Sequence, residues 1–191
     1  MNRYRQLVAI AADQHGRVTS AAAAAAGVQP ALLVQMARRG VLDKVARGIY
    51  GVPELAGDPL AQFQEALLLL PGAVLSHETA LDLHDLCDVN PRQVHVTVVA
   101  GTRVRKTLPD WLAVHHGPLD PEDVTAHAGL AIVTPARAIV DGITAALGDR
   151  FVGQAIGTAR ERNLLTTREE QGVELARTMG RARQLQQALT T

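Results

Sequence analysis

The sequence predicts an α+β fold in two parts: a helical part with a small hairpin over residues 1–54, and a mixed domain over residues 57–191 with a small β-sheet and several helices. Apolar residues recur at helical spacing before residue 40, and a short basic stretch follows them. Residues 92–99 (RQVHVTVV) alternate as in a strand. Because the predicted strands precede a run of helices and do not alternate with them, a doubly wound sheet is not expected.

Charge divides the chain at nearly the same place. Residues 1–52 hold seven basic and two acidic side chains, a net charge of +5, and the rest of the chain holds twelve basic and seventeen acidic ones, a net charge of −5. This division indicates a cationic domain, which could steer toward nucleic acid, joined to a mildly acidic one. Chance segregation of surface charge would give the same numbers, so charge alone decides nothing.

The first part has the order helix, helix, tight turn, helix, hairpin. A helix over residues 2–14 ends at Gly16, and Thr19 or Ser20 is the N-cap of the next. Gly27 fits a left-handed C-cap, and Pro30 is tolerated in the first turn of the third helix. That helix turns Leu33, Met36 and Ala37 inward, and a short run after it combines apolar Val41, Val45, Ile49 and Val52 with basic Lys44 and Arg47, as in a small hairpin. This is the order of a winged helix-turn-helix.

The second part mixes helices and strands. Asp58 caps a helix over 59–70, and Ser76 opens a short helix with a partial capping pattern. Strands are expected over 92–99, 111–116, about 123–127 and 129–133, with His95 and Thr97 on the polar face of the first. Helices follow from Thr134-Pro135, at about 150–162 and at 167–188.

Composition favours a cytoplasmic protein that is not an enzyme. Cys87 is the single cysteine and no apolar run reaches 18 residues, so neither a disulfide framework nor a membrane span is expected. Neither lysine follows a carboxylate at the spacing of Vsr-type nucleases, the Gly-Ser entry of nucleotidyltransferases does not occur, and no phosphate-binding glycine loop is present. We therefore predict no catalytic residues and no cofactor.

One cluster invites a metal interpretation. Six residues within eleven positions carry ligand chemistry: His77, Glu78, Asp82, His84, Asp85 and Cys87. The two histidines are seven apart, however, and metal pairs on helices more often sit three or four apart. An amphipathic helix with a buried, apolar Cys87 is the simpler interpretation, and His115 and His116 are expected on a strand surface, so no metal site is predicted.

Four motifs, in order, resemble the AbiEi family of antitoxins from type IV toxin–antitoxin (abortive infection) systems. The first joins Gly16–Thr19 and the Gly27-Val28 turn to residues 38–42 and 47–50. The others are residues 75–84 (LSHETALDLH), residues 94–98 (VHVTV) with a basic segment after them, and residues 133–141 (VTPARAIVD). The resemblance spans about residues 5–145.

The resemblance implies two activities on two domains. The winged helix would bind and repress the promoter of its own operon, at an inverted repeat, and the second domain would counter a nucleotidyltransferase-like toxin, directly or indirectly. The alternative is a stand-alone winged-helix regulator whose second domain senses a ligand or dimerises.

Two sets of residues are candidates for these contacts. The DNA-binding candidates are Arg17, Gln29, Gln35, Arg38, Arg39, Lys44 and Arg47. Gln35 suits adenine, Arg38 suits guanine or phosphate, and Arg39 suits either DNA or the carbonyls at the helix end. Relatives usually look arginine-rich on the third helix, where this chain has Pro30, Ala31 and Val34. The candidate surface for toxin or RNA is Arg103, Arg105 and Lys106, which would otherwise be a strand edge guarded by charge.

Overall fold

The computed structural model describes residues 2–104 and 107–189, and it divides into two compact units, residues 1–71 and 72–191. The packing division therefore falls after Pro71, so residues 57–71, which the sequence analysis assigned to the second domain, lie in the N-terminal unit.

The N-terminal unit is a winged helix extended by a fourth helix. Its elements are α1 (Arg3–Ala12), β1 (Arg17–Thr19), α2 (Ser20–Ala25), α3 (Pro30–Arg38), β2 (Asp43–Ala46), β3 (Ile49–Gly51), a 3-10 turn (Pro53–Leu55) and α4 (Ala61–Leu69). The strands form an antiparallel sheet in the order β1-β3-β2. The core beneath them is built from Leu7, Ala11, Val18, Ala23, Val28, Leu33, Leu42, Tyr50 and Val52.

Helix ends in this unit follow the predicted local chemistry. The Thr19 hydroxyl accepts the N–H of Ala22 at 3.0 Å and caps α2. Gly27 has a φ of +75°, and the N–H of Val28 reaches back to the carbonyl of Ala23, which closes the C-terminus of α2. Pro30 begins α3 as predicted. Gly27 and Pro30 thus border the short turn that separates α2 from α3.

One apolar residue at the start of the hairpin faces outward. After α3, Gly40 turns left-handed and the N–H of Val41 bonds the carbonyl of Met36, so the chain folds back over the helix end. This turn leaves Val41 39% exposed and buries Leu42 in its place. The helix-closing turn therefore makes Leu42, and not Val41, the residue of this run that joins the core.

The second unit is a five-stranded mixed sheet with four helices. Its elements are β4 (Val74–Leu75), α5 (His77–Leu83), β5 (Val94–Val99), β6 (Leu112–Gly117), a 3-10 turn (Pro121–Asp123), β7 (Val124–His127), β8 (Leu130–Val133), α6 (Pro135–Thr144), α7 (Asp149–Glu161) and α8 (Thr167–Leu189). The strand order is β6-β5-β4-β8-β7. The β5–β6 and β4–β8 pairs are parallel, and the β4–β5 and β7–β8 pairs are antiparallel.

The α+β class is confirmed, and so are the four predicted strands and the three final helices. The capping role predicted for Ser76 was wrong, because its hydroxyl makes no bond to the N-terminus of α5. Thr97, predicted on the face of β5 opposite the valines, is 1% exposed, because α5 and the residues around Ser76 cover that side of the strand. Both faces of the sheet are therefore packed at this strand.

Candidate DNA-binding surface

The outward face of α3 is exposed along its length. Pro30, Ala31, Val34, Gln35 and Arg38 are all exposed, whereas Leu33 is fully buried, so the face predicted from helical spacing is the one the fold presents. Val34 is 42% exposed, which is unusual for a large apolar side chain. In a helix-turn-helix, this face of the third helix is the one that enters the major groove.

Four cations extend this face toward the wing. Arg38 and Arg39 end α3, Lys44 lies on β2, and Arg47 lies in the two-residue turn between β2 and β3. All four side chains are exposed, and no carboxylate within residues 2–104 or 107–189 forms an ion pair with them. Exposed and uncompensated cations next to a recognition helix are suited to phosphate contacts.

The two glutamines border the same surface. Gln29 occupies the N-cap position of α3 without capping it, so its exposed side chain remains available for an outside contact. Gln29 and Gln35 line one open groove of about 570 Å³, together with Arg3, Ala31 and Leu32. The groove runs along the flank of α3 and widens the polar surface beyond the wing.

Arg17 does not belong to this surface. Its guanidinium holds Glu65 of α4 through Nε at 3.3 Å and Nη2 at 3.2 Å, and both side chains are only 16% exposed. Glu65 lies 48 residues along the chain from Arg17, so no local sequence pattern predicts this ion pair.

Arg39 takes the C-cap position of α3 through its backbone N–H, and within the described residues its side chain does not bond the helix carbonyls.

The candidate surface of the second unit is only partly described. Arg103 is exposed and follows β5, which agrees with the expected basic extension of that strand. Arg105 and Lys106 lie outside the described residues. The structure therefore adds nothing on how these three predicted residues are arranged.

Three of the four motifs converge in a polar cluster of the second unit, which we call the histidine cluster (Ser76, His77, His95, Thr97, His115, Arg137 and Asp141). The ring of His77 stacks on His115 with centroids 3.6 Å apart, and His115 Nε2 lies 3.0 Å from His95 Nδ1. One of these two rings must donate the shared hydrogen and the other must accept it. His115, expected on a strand surface, instead joins the cluster because parallel pairing sets it opposite Thr97.

Hydroxyl and ionic contacts complete the histidine cluster. Thr97 Oγ1 donates to Ser76 Oγ at 2.7 Å, and His77 Nδ1 lies 2.9 Å from that oxygen and 3.7 Å from Asp141 Oδ2. Arg137 donates from Nε to Asp141 at 2.8 Å and from Nη1 to Asp123 at 2.6 Å. Asp141 Oδ2 is buried without a hydrogen-bond partner among the described residues.

Burial keeps the histidines of this cluster neutral. Desolvation, followed by the charges of His115, His95 and Arg137, lowers the pKa of His77 from 6.5 to about 3. Desolvation also lowers the pKa of His95 and of His115. It raises the pKa of Asp141 against the opposing effect of the Arg137 guanidinium. The three histidines of this packed polar core therefore resist protonation, whereas the Asp141 carboxyl takes up a proton more readily than a free one.

The residues that invited a metal interpretation separate in the fold. His77 faces His115, whereas Nε2 of His84 meets the carbonyl of Val133 at 2.8 Å. Cys87 is buried as predicted, and burial raises the pKa of its thiol. Across residues 2–104 and 107–189, no three His, Cys, Asp or Glu side chains converge as metal ligands. None of the helices in those ranges is both long and apolar enough to cross a membrane.

The N-terminal unit has the architecture and surface of a DNA-binding transcriptional regulator. The family model described as transcriptional regulator, AbiEi antitoxin, matches residues 5–53, which confirms the AbiEi resemblance over the winged helix. That match covers α1 through β3 and carries both the recognition helix and the wing.

Comparison with solved structures supports the fold of both units. The RV2827C protein from Mycobacterium tuberculosis matches with a TM-score of 0.59 and 17% sequence identity, over 91% of this chain and 71% of that one. At this identity the likeness is one of fold alone. None of the curated proteins matches the chain.

Proposed function

We propose that this protein is an antitoxin that represses its own operon through the N-terminal unit and counters a nucleotidyltransferase-like toxin through the second unit. The observation that carries the DNA-binding part is the group of exposed cations Arg38, Arg39, Lys44 and Arg47, which form no ion pair with the residues that the structure describes. It lies within the stretch that matches AbiEi regulators. The match to that antitoxin family supports the toxin-directed part.

The surface favours modest and salt-sensitive binding. Four cations could neutralise about four phosphates, so log K should fall with log salt at a slope of about −3.6 for one copy. Base contacts rest on few groups, because Gln35 suits adenine and Val34 suits a thymine methyl. Binding of two copies to an inverted repeat would raise the affinity of a domain that makes so few base contacts.

Binding to DNA can be tested with the segment upstream of the protein's own gene. We expect fluorescence anisotropy to show salt-dependent binding. The variants Lys44→Ala and Arg47→Ala should each weaken it and reduce the salt slope by about 0.9. Arg92→Ala is the matched control, because Arg92 is an exposed arginine of the second unit. If all three variants bind like the wild type, the wing does not contact DNA.

The toxin-directed activity can be separated from DNA binding with the full chain. A host expressing the neighbouring reading frame should stop growing, and this protein should restore growth. The double variant Lys44→Ala/Arg47→Ala should restore growth equally when it is expressed from a foreign promoter. A harmless neighbour, or a failure of the wild type to rescue, would instead favour a stand-alone regulator. Co-purification of the two proteins would then distinguish direct from indirect neutralisation.

A further inference from the structure

The long helix α8 presents an exposed seam at coiled-coil spacing. The seam residues are separated by 4, 3, 4, 3 and 4 positions and are all exposed: Arg168, Gly172, Leu175, Met179, Ala182 and Gln186. Leu175 at 63% and Met179 at 52% exposure form its centre. A 4–3 repeat of this kind is how one helix packs along another.

The seam is not the face that α8 uses within its own unit. Val173 is 1% exposed, and a Cβ added at Gly180 would lie 2.9 Å from the Cγ2 of Ile143 in α6, so these two residues mark the inward side. At about 100° per residue, Leu175 and Met179 lie roughly 100–160° around the helix from Val173 and Gly180. Leu175 and Met179 therefore lie away from the inward side of α8 that Val173 and Gly180 mark.

We infer that the seam is the contact surface for a second copy of this chain, with the two α8 helices antiparallel about a twofold axis near residue 177. In that arrangement Leu175 meets Met179 of the second copy, and Gly172 meets Ala182 of the second copy. The two largest side chains are paired at the centre, and the smallest flank them. A twofold contact requires this kind of self-complementarity.

Charge selects the antiparallel orientation. Residues 167–174 carry three acids and one arginine, for a net charge of −2, whereas residues 175–189 carry three arginines and no acid, for a net charge of +3. Antiparallel helices set the acidic half of each beside the basic half of the other, with Glu169 facing Arg183, whereas parallel helices would oppose like charges. Arg160 pairs with Glu170 and Glu174, and Glu169 Oε2 accepts from the backbone N–H and the hydroxyl of Thr166 at 2.7 and 2.6 Å. Glu169 Oε1 is therefore the oxygen that would meet Arg183 of the second copy.

A hollow beside the seam supplies room for the partner's side chains. It has a volume of about 310 Å³ and is lined by the end of α6, at Ile143, and by Met179, Gly180 and Arg183 of α8. Because Met179 belongs to both the seam and the hollow, a projecting Leu175 from the second copy falls next to this space. The same surface thus carries the projecting side chain of Leu175 and the hollow beside Met179, so each copy could receive Leu175 of the other.

The contact is small, so the dimer should be weak. One helix pair buries less than the roughly 1,200 Å² of a stable specific interface, which places the dissociation constant in the range of about 1–100 µM. Dimerisation does not require DNA, and it can therefore be tested independently of the proposed function.

Sedimentation equilibrium of the full chain without DNA is the first test. The wild type should pass from monomer to dimer between about 1 and 100 µM. Leu175→Glu should stay monomeric. Val99→Glu should dimerise like the wild type, because it places the same charge at a residue that is 52% exposed and off α8. Circular dichroism establishes that each variant is folded. A monomeric wild type, or a Leu175→Glu variant that dimerises normally, would overturn the proposal.

Cross-linking tests the orientation. A mixture of Gly172→Cys and Ala182→Cys chains should give a covalent heterodimer with a short bismaleimide, and neither chain should cross-link with itself. The native Cys87 is buried and can stay in place. Cross-linking of Gly172→Cys to itself would indicate parallel helices and contradict the inference. If Leu175→Glu abolishes growth rescue while the wild type is monomeric, the seam contacts the toxin and the inference is wrong.

Discussion

Acid should destabilise the second unit through His77. The side chain of His77 is 12% exposed and stacks on His115, and its pKa is about 3 in the fold against 6.5 for a free histidine. Because the folded state binds fewer protons at this residue, the free energy of unfolding is not reduced by His77 above pH 6.5. It decreases as the pH falls from 6.5 to about 3. At pH 5 the unfolded ring is protonated and the folded ring is neutral, which costs about 2 kcal/mol.

The variant His77→Asn isolates this contribution. Asn tolerates the left-handed backbone that His77 adopts, at φ +54°, so the change removes the titrating ring without forcing the chain. We expect the variant to be less stable than the wild type at pH 7, because it lacks the stacking on His115. Between pH 7 and pH 5, however, its free energy of unfolding should fall by about 2 kcal/mol less than that of the wild type. His95 and His115 titrate in the same direction, whereas the raised pKa of Asp141 acts in the opposite one.

The single tryptophan makes the measurement specific to one unit. Trp111 precedes β6 and its carbonyl accepts the N–H of Val94, so its fluorescence during urea unfolding follows the second unit. His116→Asn is the control, because His116 is the exposed neighbour on the same strand. If wild type and His77→Asn show the same loss of stability from pH 7 to pH 5, the buried histidine is not the cause of the acid sensitivity.

Four further substitutions test packing and ion pairs at single residues. Gly16→Ala should cost about 2–4 kcal/mol by thermal unfolding, because φ is +76° and the new Cβ would lie 2.8 Å from a backbone oxygen. Gly57→Ala, in open space, should cost less than about 1 kcal/mol. Arg137→Met should cost about 3–5 kcal/mol by tryptophan-detected unfolding, because a buried carboxylate loses its cation. Arg17→Ala should cost about 1–3 kcal/mol, seen as faster hydrogen exchange in the N-terminal unit, because it leaves Glu65 unpaired.

Local patterns predicted the parts of the fold that local chemistry controls. The caps at Thr19, Gly27 and Pro30 set the helix-turn-helix, and alternation located β5. By contrast, β1 and β4 were missed, because strands of three and two residues are too short to show alternation and form only through their neighbours.

The candidate site was predictable only where it depends on position along one element. The outward face of α3 and the exposed wing cations follow from helical spacing and from the turn. The Arg17–Glu65 pair does not, since the partner lies on a helix assigned to the other domain. The histidine cluster was missed for a similar reason. The parallel register of β5 and β6 brings His115 to His95, and this register cannot be predicted from the periodicity of either strand.

Because α4 packs with the winged helix, the compact unit is longer than the stretch that matches the family model. The family match stops at residue 53, but three side chains before it have partners after it. Arg17 pairs with Glu65, His15 Nδ1 lies 3.0 Å from Asp58 Oδ2, and Gln64 Nε2 donates to Gln14 Oε1 at 2.6 Å. A fragment cut at the family boundary would keep every predicted DNA contact and lose the partners of three polar side chains. A fragment for studies of DNA binding should therefore include α4 and extend to Pro71.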